Sequence, residues 1–350
     1  MFVALRDLRA ARGRFVLITL VVTLVALLVS FLSGLTAGLA HQNISAIERI
    51  AADEIVFADT GADPSFDTSA LTEQQITTWQ QAGGSVEPIG ISRTRATSAT
   101  GSAPSQVALF GADGTAFGNR NATATGTVVL SEGAASALAA ADGDAVDLGG
   151  HTFTVAAVRG DDWYSHTPVV WMTLPDWQSV SPRSGAATVL AVSGVPDQTS
   201  VNTAAATTST THSGALEAIG SYQAENGSLT LMTLLLFAIS ALVIGAFFTV
   251  WTIQRLPDIA TLKALGATSA SLVRDALAQA AIVLAAGVTA GLGITVAAAS
   301  AMGDALPFVI RPATTLLPAG ALILLGLGGA AFALRFLFTT DPLTALGAAR

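Results

Sequence analysis

Half of the residues are apolar (51%) and only 11% are charged, for a net charge of −8 over 350 residues; soluble globular domains of this size are far less oily. The acidic balance argues against nucleic-acid binding. The absence of cysteine excludes thiolate-metal and thiol redox chemistry and leaves any domain outside the cytoplasm to hold itself together without disulfides. Fifteen arginines stand against one lysine, Lys263, which together with abundant alanine points to a GC-rich bacterial genome.

The chain opens on MFVALRDLRAARGR, where Phe2, Leu5 and Leu8 recur at helical spacing between arginines. Residues 1–14 read as a cytoplasmic amphipathic helix, its arginines near anionic headgroups; a frayed basic anchor fits the same residues. From Phe15 to Ile47 no charge occurs, nor between Glu225 and Arg255, from Ala276 to Gly303, or from Pro312 to Leu334. Each run exceeds the roughly 20 residues that cross the hydrocarbon of a bilayer. A cleaved signal peptide ending at the small residues before His41 is the rival reading of the N-terminus, but about 25 apolar residues are too many for a signal core. The expected spans are therefore 15–40, 229–253, 276–301 and 312–338.

Orientation follows from the basic residues, which stay on the cytoplasmic side. Arg6, Arg9, Arg12 and Arg14 precede the first span, Arg255, Lys263 and Arg274 sit in the 254–275 loop, and Arg335 and Arg350 end the chain. Residues 41–228 carry 19 acids against six arginines, a net of −13. Both termini, including the 339–350 tail, and the 254–275 loop are thus expected in the cytoplasm of a bacterial cell, with 41–228 and the short 302–311 loop outside.

Ile44, Ile47, Ile50 and Ala51 keep helical spacing, so the first helix should continue out of the membrane as a stalk. From about Glu54 the texture becomes α+β. SALTEQQITTWQQAGG predicts a helix opened by Ser69 and closed by Gly83 and Gly84. TVVL predicts a strand, and SEGAASALAAADG a helix capped by Ser131 and ended at Gly143. DAVDLGGHTFTVAAV predicts a hairpin turning at Gly149-Gly150, and HTPVVWMTL and GAATVLAVSG add strands. NTAAATTSTTHSGAL, small and polar, reads as a loop; a second stalk helix then leads from about Ala215 into the second span. Gly34/Gly38, Gly287/Gly291 and Gly326/Gly328/Gly329 are spaced for close helix packing in lipid.

No nucleotide-binding loop is present: Lys263 is followed by Ala264 and lacks the preceding glycines, and GLGLGG near Gly326 lies inside an apolar span. His41, His151, His166 and His212 lack ligand spacing, so no metal is expected, and DDWYSH (161–166) reads as a solvated turn. Near the outer membrane boundary, His41 and Glu48 are seven residues apart on one helix, and Tyr222, Glu225, Leu229 and Met232 share a face of the other. Imidazole, carboxylate, phenol and thioether at that level could grip an amphipathic ligand or ligate iron; interfacial anchoring by Tyr222 and solvation of Glu48 is the plainer alternative.

Between the second and third spans, Pro257 suits a first helical position and Asp258 the positive helix end. Ile259, Leu262 and Leu265 form an apolar stripe, Gly266 can end the helix, and Thr268 or Ser269 can cap the next. Such a helix either merely connects spans or docks a cytoplasmic partner. RLPDIATLKALGATSASLV resembles the region after the second span in MacB/FtsX-type ABC-transporter permeases. ALRDLRAARGRFVL, DPLTALGAAR and VVLSEGAASALAAADGDAVDLGGHTFTVAAV are similar to that family's ends and external domain. The family normally has Glu-Ile-Gly where this chain has Asp258-Ile259-Ala260.

The resemblance implies a non-catalytic, four-span permease with an α+β extracytoplasmic domain between spans 1 and 2. It implies a homodimer working with two copies of a cytoplasmic ATPase on a separate chain that binds the ATP. The coupling residues would be Asp258, Leu262, Lys263 and Gly266. Size and layout are most similar to the haem-exporter permeases (HrtB type), which implies haem as substrate, with Glu48, His41, Tyr222 and Met232 as candidate contacts and no intrinsic cofactor. An FtsX-like regulator of a cell-wall hydrolase, or an exporter of lipid, glycolipid or peptide, is the alternative.

Overall fold

The computed structural model describes residues 12–98, 103–118, 122, 124–181, 185–255, 259, 261–263, 265–303 and 306–334. The N-terminal amphipathic segment up to residue 11 and the 339–350 tail lie outside them. The chain divides into two compact units, Leu39–Gly227 and the remainder.

Four helices among the described residues are long and apolar enough to cross a membrane, and most of their length lies in the second of these units. They are α1 (Arg12–Glu48), α7 (Gly220–Gln254), α8 (Ser269–Met302) and α9 (Pro312–Leu334). Without a hydrophobic force to drive helices together in lipid, close backbone approach matters most, and glycines provide it. A Cβ on Gly291 of α8 would stand 2.6 Å from the Thr23 carbonyl oxygen and 2.8 Å from Ala26 of α1. One on Gly329 of α9 would stand 3.0 Å from the Cα of Gly245 on α7. Gly34 and Gly38 differ from the helix-packing expectation. They receive the loop between α8 and α9: the Phe308 ring lies over Gly34, the Pro307 carbonyl over Gly38, and the Val309 amide donates to the Gly34 carbonyl at 3.2 Å.

The other unit is built on strands β1 (Glu54–Ala58), β2 (Ser85–Ser98), β3 (Ser105–Gly111), β4 (Thr127–Leu130), β5 (Ala145–Leu148), β6 (His151–Val158), β7 (Trp163–Tyr164), β8 (Thr167–Met172), β9 (Val189–Ser193) and β10 (Thr207–Thr211). The order is β10-β1-β9-β2-β3-β8-β4-β6-β5, and β5 pairs back onto the far end of β2. β2 therefore serves two sheets: Ser85–Ile89 pair β9, while Ala96–Ser98 close a six-stranded barrel against β5.

Alternation explains the apolar runs of the central strands. Val107 and Leu109, Val128 and Leu130, and Val170 and Met172 join one core with Phe153, Val155 and Trp177. Their neighbours Ala108 and Phe110, Val129, and Val169 and Trp171 face a second core with Ile44 and Ile47 of α1 and Ile50 just after it. Strands buried on both faces need apolar residues at every position. β6, by contrast, buries Phe153 and Val155 and exposes Thr152 and Thr154.

Three local expectations differ. Helix α2 (Glu73–Gln81) starts at Thr72, not Ser69, through a capping box with Gln75; the Ser69 hydroxyl instead joins the Ala58 amide to the Thr188 carbonyl. Helix α3 (Glu132–Leu138) is capped by Ser131 but ends at left-handed Ala139, short of Gly143. The small polar stretch expected as a loop, 202–216, contains the end of α5 (Gln198–Ala205), strand β10 and the short helix α6 (His212–Ala215); its β-branched threonines suit a pleated edge paired to β1. Helix α4 (Leu174–Val180) buries Trp177 over Gly90 and Gly111, where no side chain would fit.

Gly291→Leu is expected to push α1 from α8, costing about 1–3 kcal/mol by overpacking and lowering the thermal midpoint of the detergent-solubilised protein. Gly328→Leu, with nothing within 4 Å of its added Cβ, should leave that midpoint unchanged.

Candidate functional site

Two regions hold the residues singled out in the sequence. At one end of the membrane unit, Ile259 and residues 261–263 are helical. The Ala267 amide donates to the Leu262 carbonyl and the Gly266 amide to the Lys263 carbonyl, each at 3.0 Å, with Gly266 at φ +98°. This is a Schellman cap, which needs the left-handed conformation that glycine adopts without strain. Thr268 then accepts the Ser271 amide and starts α8. The cap turns Leu262 and Leu265 outward, 41% and 79% exposed. Asp258 lies outside the described residues.

Beneath this turn is a small cavity lined by Trp251, Arg255, Ile259, Leu262, Asp275 and Gln279. The Arg255 guanidinium donates to the buried Gln279 amide oxygen at 2.7 Å and lies 5.1 Å from the Trp251 ring. A charge at the end of a span is thereby hydrogen-bonded and stacked, tying α7 to α8.

The second region gathers around the stalk ends of α1 and α7, in the α/β unit. Glu48 is exposed, and Tyr222, partly buried, packs against the Ile44/Ile47 core within electrostatic reach of Glu48 and Glu217. His41 does not share Glu48's open setting. Its Nε2 donates to the Asp161 carbonyl at 2.8 Å and faces the Asp161 carboxylate at 3.3 Å. Met232 belongs to the membrane unit and is 57% exposed on α7.

The turn expected to be solvated is the main residue set that sequence reasoning missed. The Arg49 guanidinium donates to the buried Asp162 carboxylate at 3.2 Å, and Ser45 exchanges hydrogen bonds with the Trp163 amide and carbonyl at 2.8 and 3.3 Å. His166 reaches Glu225 on α7, with Nε2 3.0 Å from both carboxylate oxygens. Asn43, only 1% exposed, donates to Glu225 at 3.3 Å and accepts the Ser221 hydroxyl at 2.7 Å. The one available signal was asparagine in the otherwise apolar register Ile44, Ile47, Ile50.

The hydrogen bond from His41 holds the Asp161 carboxyl below its ordinary range, outweighing partial burial, with help from the Trp163 indole and the His41 charge. A carboxyl whose pKa is depressed on folding stabilises the fold above its unfolded value and loses that stabilisation as pH falls through the folded one. Asp161 is 55% exposed, so the effect is under about 1 kcal/mol. Asp161→Asn should therefore melt slightly below the wild type at neutral pH, and tryptophan-fluorescence melts should begin to converge as pH falls below about 4 and coincide only below the depressed folded value of Asp161.

Family models agree with both halves of this architecture. A MacB-like periplasmic core domain matches residues 15–211, and an FtsX-like permease C-terminal region matches residues 200–342. Relatives named putative hemin transport system permease protein HrtB, from Staphylococcus haemolyticus and Staphylococcus epidermidis, are each 25% identical across 99% of both chains. The periplasmic region of MacB from Actinobacillus actinomycetemcomitans is similar at 15% identity and TM-score 0.37, over 50% of this chain and 95% of that one. Because the periplasmic-core model spans more than half of the residues and the permease model covers most of the others, the chain belongs to the MacB/FtsX-type permeases of ABC transporters.

Proposed function

We propose that this permease is the membrane subunit of an ATP-driven exporter that expels an amphipathic substrate, haem in the first instance, toward the outside of the cell. The observation that carries the motor half is the capped turn after α7, which presents Leu262 and Leu265 to the surroundings beside Lys263. Exposed leucines on a short capped turn suit insertion into an apolar groove of a partner, where burial of Leu265 would contribute about 1.5–3 kcal/mol and that of Leu262, already half covered, less. The partner is a cytoplasmic ABC ATPase on a separate chain, two copies serving a permease homodimer whose termini both lie in the cytoplasm. No nucleotide-binding loop occurs in this sequence, so ATP binding and hydrolysis fall to the partner. Its two nucleotide states would have to favour two different permease arrangements for force to be transmitted. Asp258 and Gly266 complete the coupling set, the first by charge at the helix start and the second by its backbone.

Haem is favoured by the hemin-transport names of the full-length relatives and by the chemistry near the stalks. Glu48, exposed near Tyr222, is the leading contact, with Met232 as a thioether and Tyr222 as a phenol. His41 could join only by leaving Asp161.

Leu262→Asp is expected to abolish co-purification of the ATPase or cut its stimulation several-fold, while the permease still reaches the membrane. Haemin titrated into the purified permease should give a saturable Soret shift at one haem per dimer, lost in Glu48→Ala. A linear, detergent-like response unaffected by that substitution would move the substrate to another lipid, glycolipid or peptide, or the role to control of an external hydrolase, while leaving the motor half testable through Leu262.

A further inference from the structure

The hairpin joining β7 to β8 turns on Ser165 and His166, at φ +49° and +59°. Tyr164 pairs Thr167 and Trp163 pairs Pro168, so these two residues form the entire connection. Two-residue hairpins of this kind take asparagine and glycine because side chains are strained there. Serine and histidine persist in such a conformation only where the surroundings over-determine it, and strain of this sort concentrates at switch regions and ligand clamps.

The surroundings are the two stalks. The Ser165 and His166 amides donate to the Asn43 and Gln42 carbonyls of α1, each at 2.9 Å. Their side chains reach α7: the Ser165 hydroxyl meets Ser221 at 2.8 Å, and His166 meets Glu225 at 3.0 Å, with the Asn43 side-chain amide of α1 3.5 Å from the same imidazole nitrogen. The same strained turn thus holds α1 by backbone and α7 by side chain.

The two grips differ in kind. α1 is bound to the hairpin region by the two amides, by both Ser45 hydrogen bonds, by Arg49 to buried Asp162 and by His41 to Asp161. The turn holds α7 by Ser221 and by a His166–Glu225 pair whose side chains are 32% and 40% exposed, and such half-solvated pairs break readily; Asn43 of α1 bonds the same Ser221 and Glu225 directly, so release of α7 also parts those two hydrogen bonds. The chain on either side of α7's start explains what would move. Ala215, Ala218 and Ile219 are anchored in the domain core. Helical backbone is then interrupted at Ile219, φ −88° and ψ 105°, before α7 begins at Gly220. Ser221 and Glu225 lie in the first two turns beyond that break.

We propose that the Ser165–His166 turn is a releasable latch: it stays fixed to α1 and the α/β domain, and it holds or frees the start of α7, which swings about the Ile219–Gly220 break. This rests on the ATP-driven reading above, because the ATPase cycle is what would open it. The titratable and charged groups around the latch are His41, Asp161, Arg49, Asp162, Glu48, Glu217 and Tyr222, so the latch is a charged and hydrogen-bonded cluster rather than an apolar clasp.

The absence of native cysteine makes the test direct. Full-length Ser165→Cys/Ser221→Cys permease is assembled with its ATPase in lipid nanodiscs, and disulfide formation under mild oxidant is followed without nucleotide and after trapping with ATP and vanadate. The latch predicts rapid crosslinking in one nucleotide state, several-fold slower crosslinking in the other, and loss of permease-stimulated ATP hydrolysis on crosslinking that reductant restores. Adding His166→Ala should slow crosslinking in the fast state, with size-exclusion retention reporting that the fold is kept. Equal rates in both states, no disulfide in either, or indifference to His166→Ala would overturn the latch. Assembly with the ATPase is scored separately by co-purification, so failure of the latch is distinguishable from failure of the permease reading.

Discussion

Backbone hydrogen bonding in hydrocarbon is the constraint on which the rest of the molecule depends. A chain crossing lipid must satisfy every amide and carbonyl within itself, which leaves the helix as the form for these spans. In α1 the helix does not stop at residue 40, the expected end of the span; it continues to Glu48. Its emergent turns carry Ile44 and Ile47, and Ile50 follows just beyond, all packed with Phe57, Phe110 and Trp171 of the strands. The same residues that complete a helix also belong to one of the domain's cores, so the α/β domain is fastened to its first stalk by packing as well as by covalent connection.

Within that domain the organising element is β2. Fourteen residues long, it pairs β9 at one end and β5 at the other, so a single strand joins an open sheet to a closed barrel. Closure removes unpaired edges from the barrel strands, which matters in a domain without disulfides. It also creates two apolar layers, one inside the barrel and one facing α1, and so explains why the central strands lack the polar alternation of a half-exposed sheet.

Both candidate regions sit on departures from regular structure. The Schellman cap at Gly266 aims Leu262 and Leu265 outward. The left-handed Ser165–His166 pair reaches two helices at once, one through backbone and one through side chains. In both places a short irregular segment is fixed by hydrogen bonds to its neighbours.

The spans, the inserted α+β domain, the Gly149-Gly150 hairpin and the Gly266 stop were legible in the sequence, because each follows from local physics: apolar length, strand alternation and the backbone freedom of glycine. The barrel closure was not, since pairing of Ala96 with Leu148 joins residues that carry no mutual signal along the chain. Nor was the destination of Gly34 and Gly38, whose spacing fits a helix but whose neighbour is the Pro307–Phe308 loop. DDWYSH read as a solvated turn because polarity reports only that a residue wants partners. Which partners it finds, Asn43, Ser221 and Glu225, depends on helices that arrive from distant parts of the chain, and only the tertiary structure brings those together.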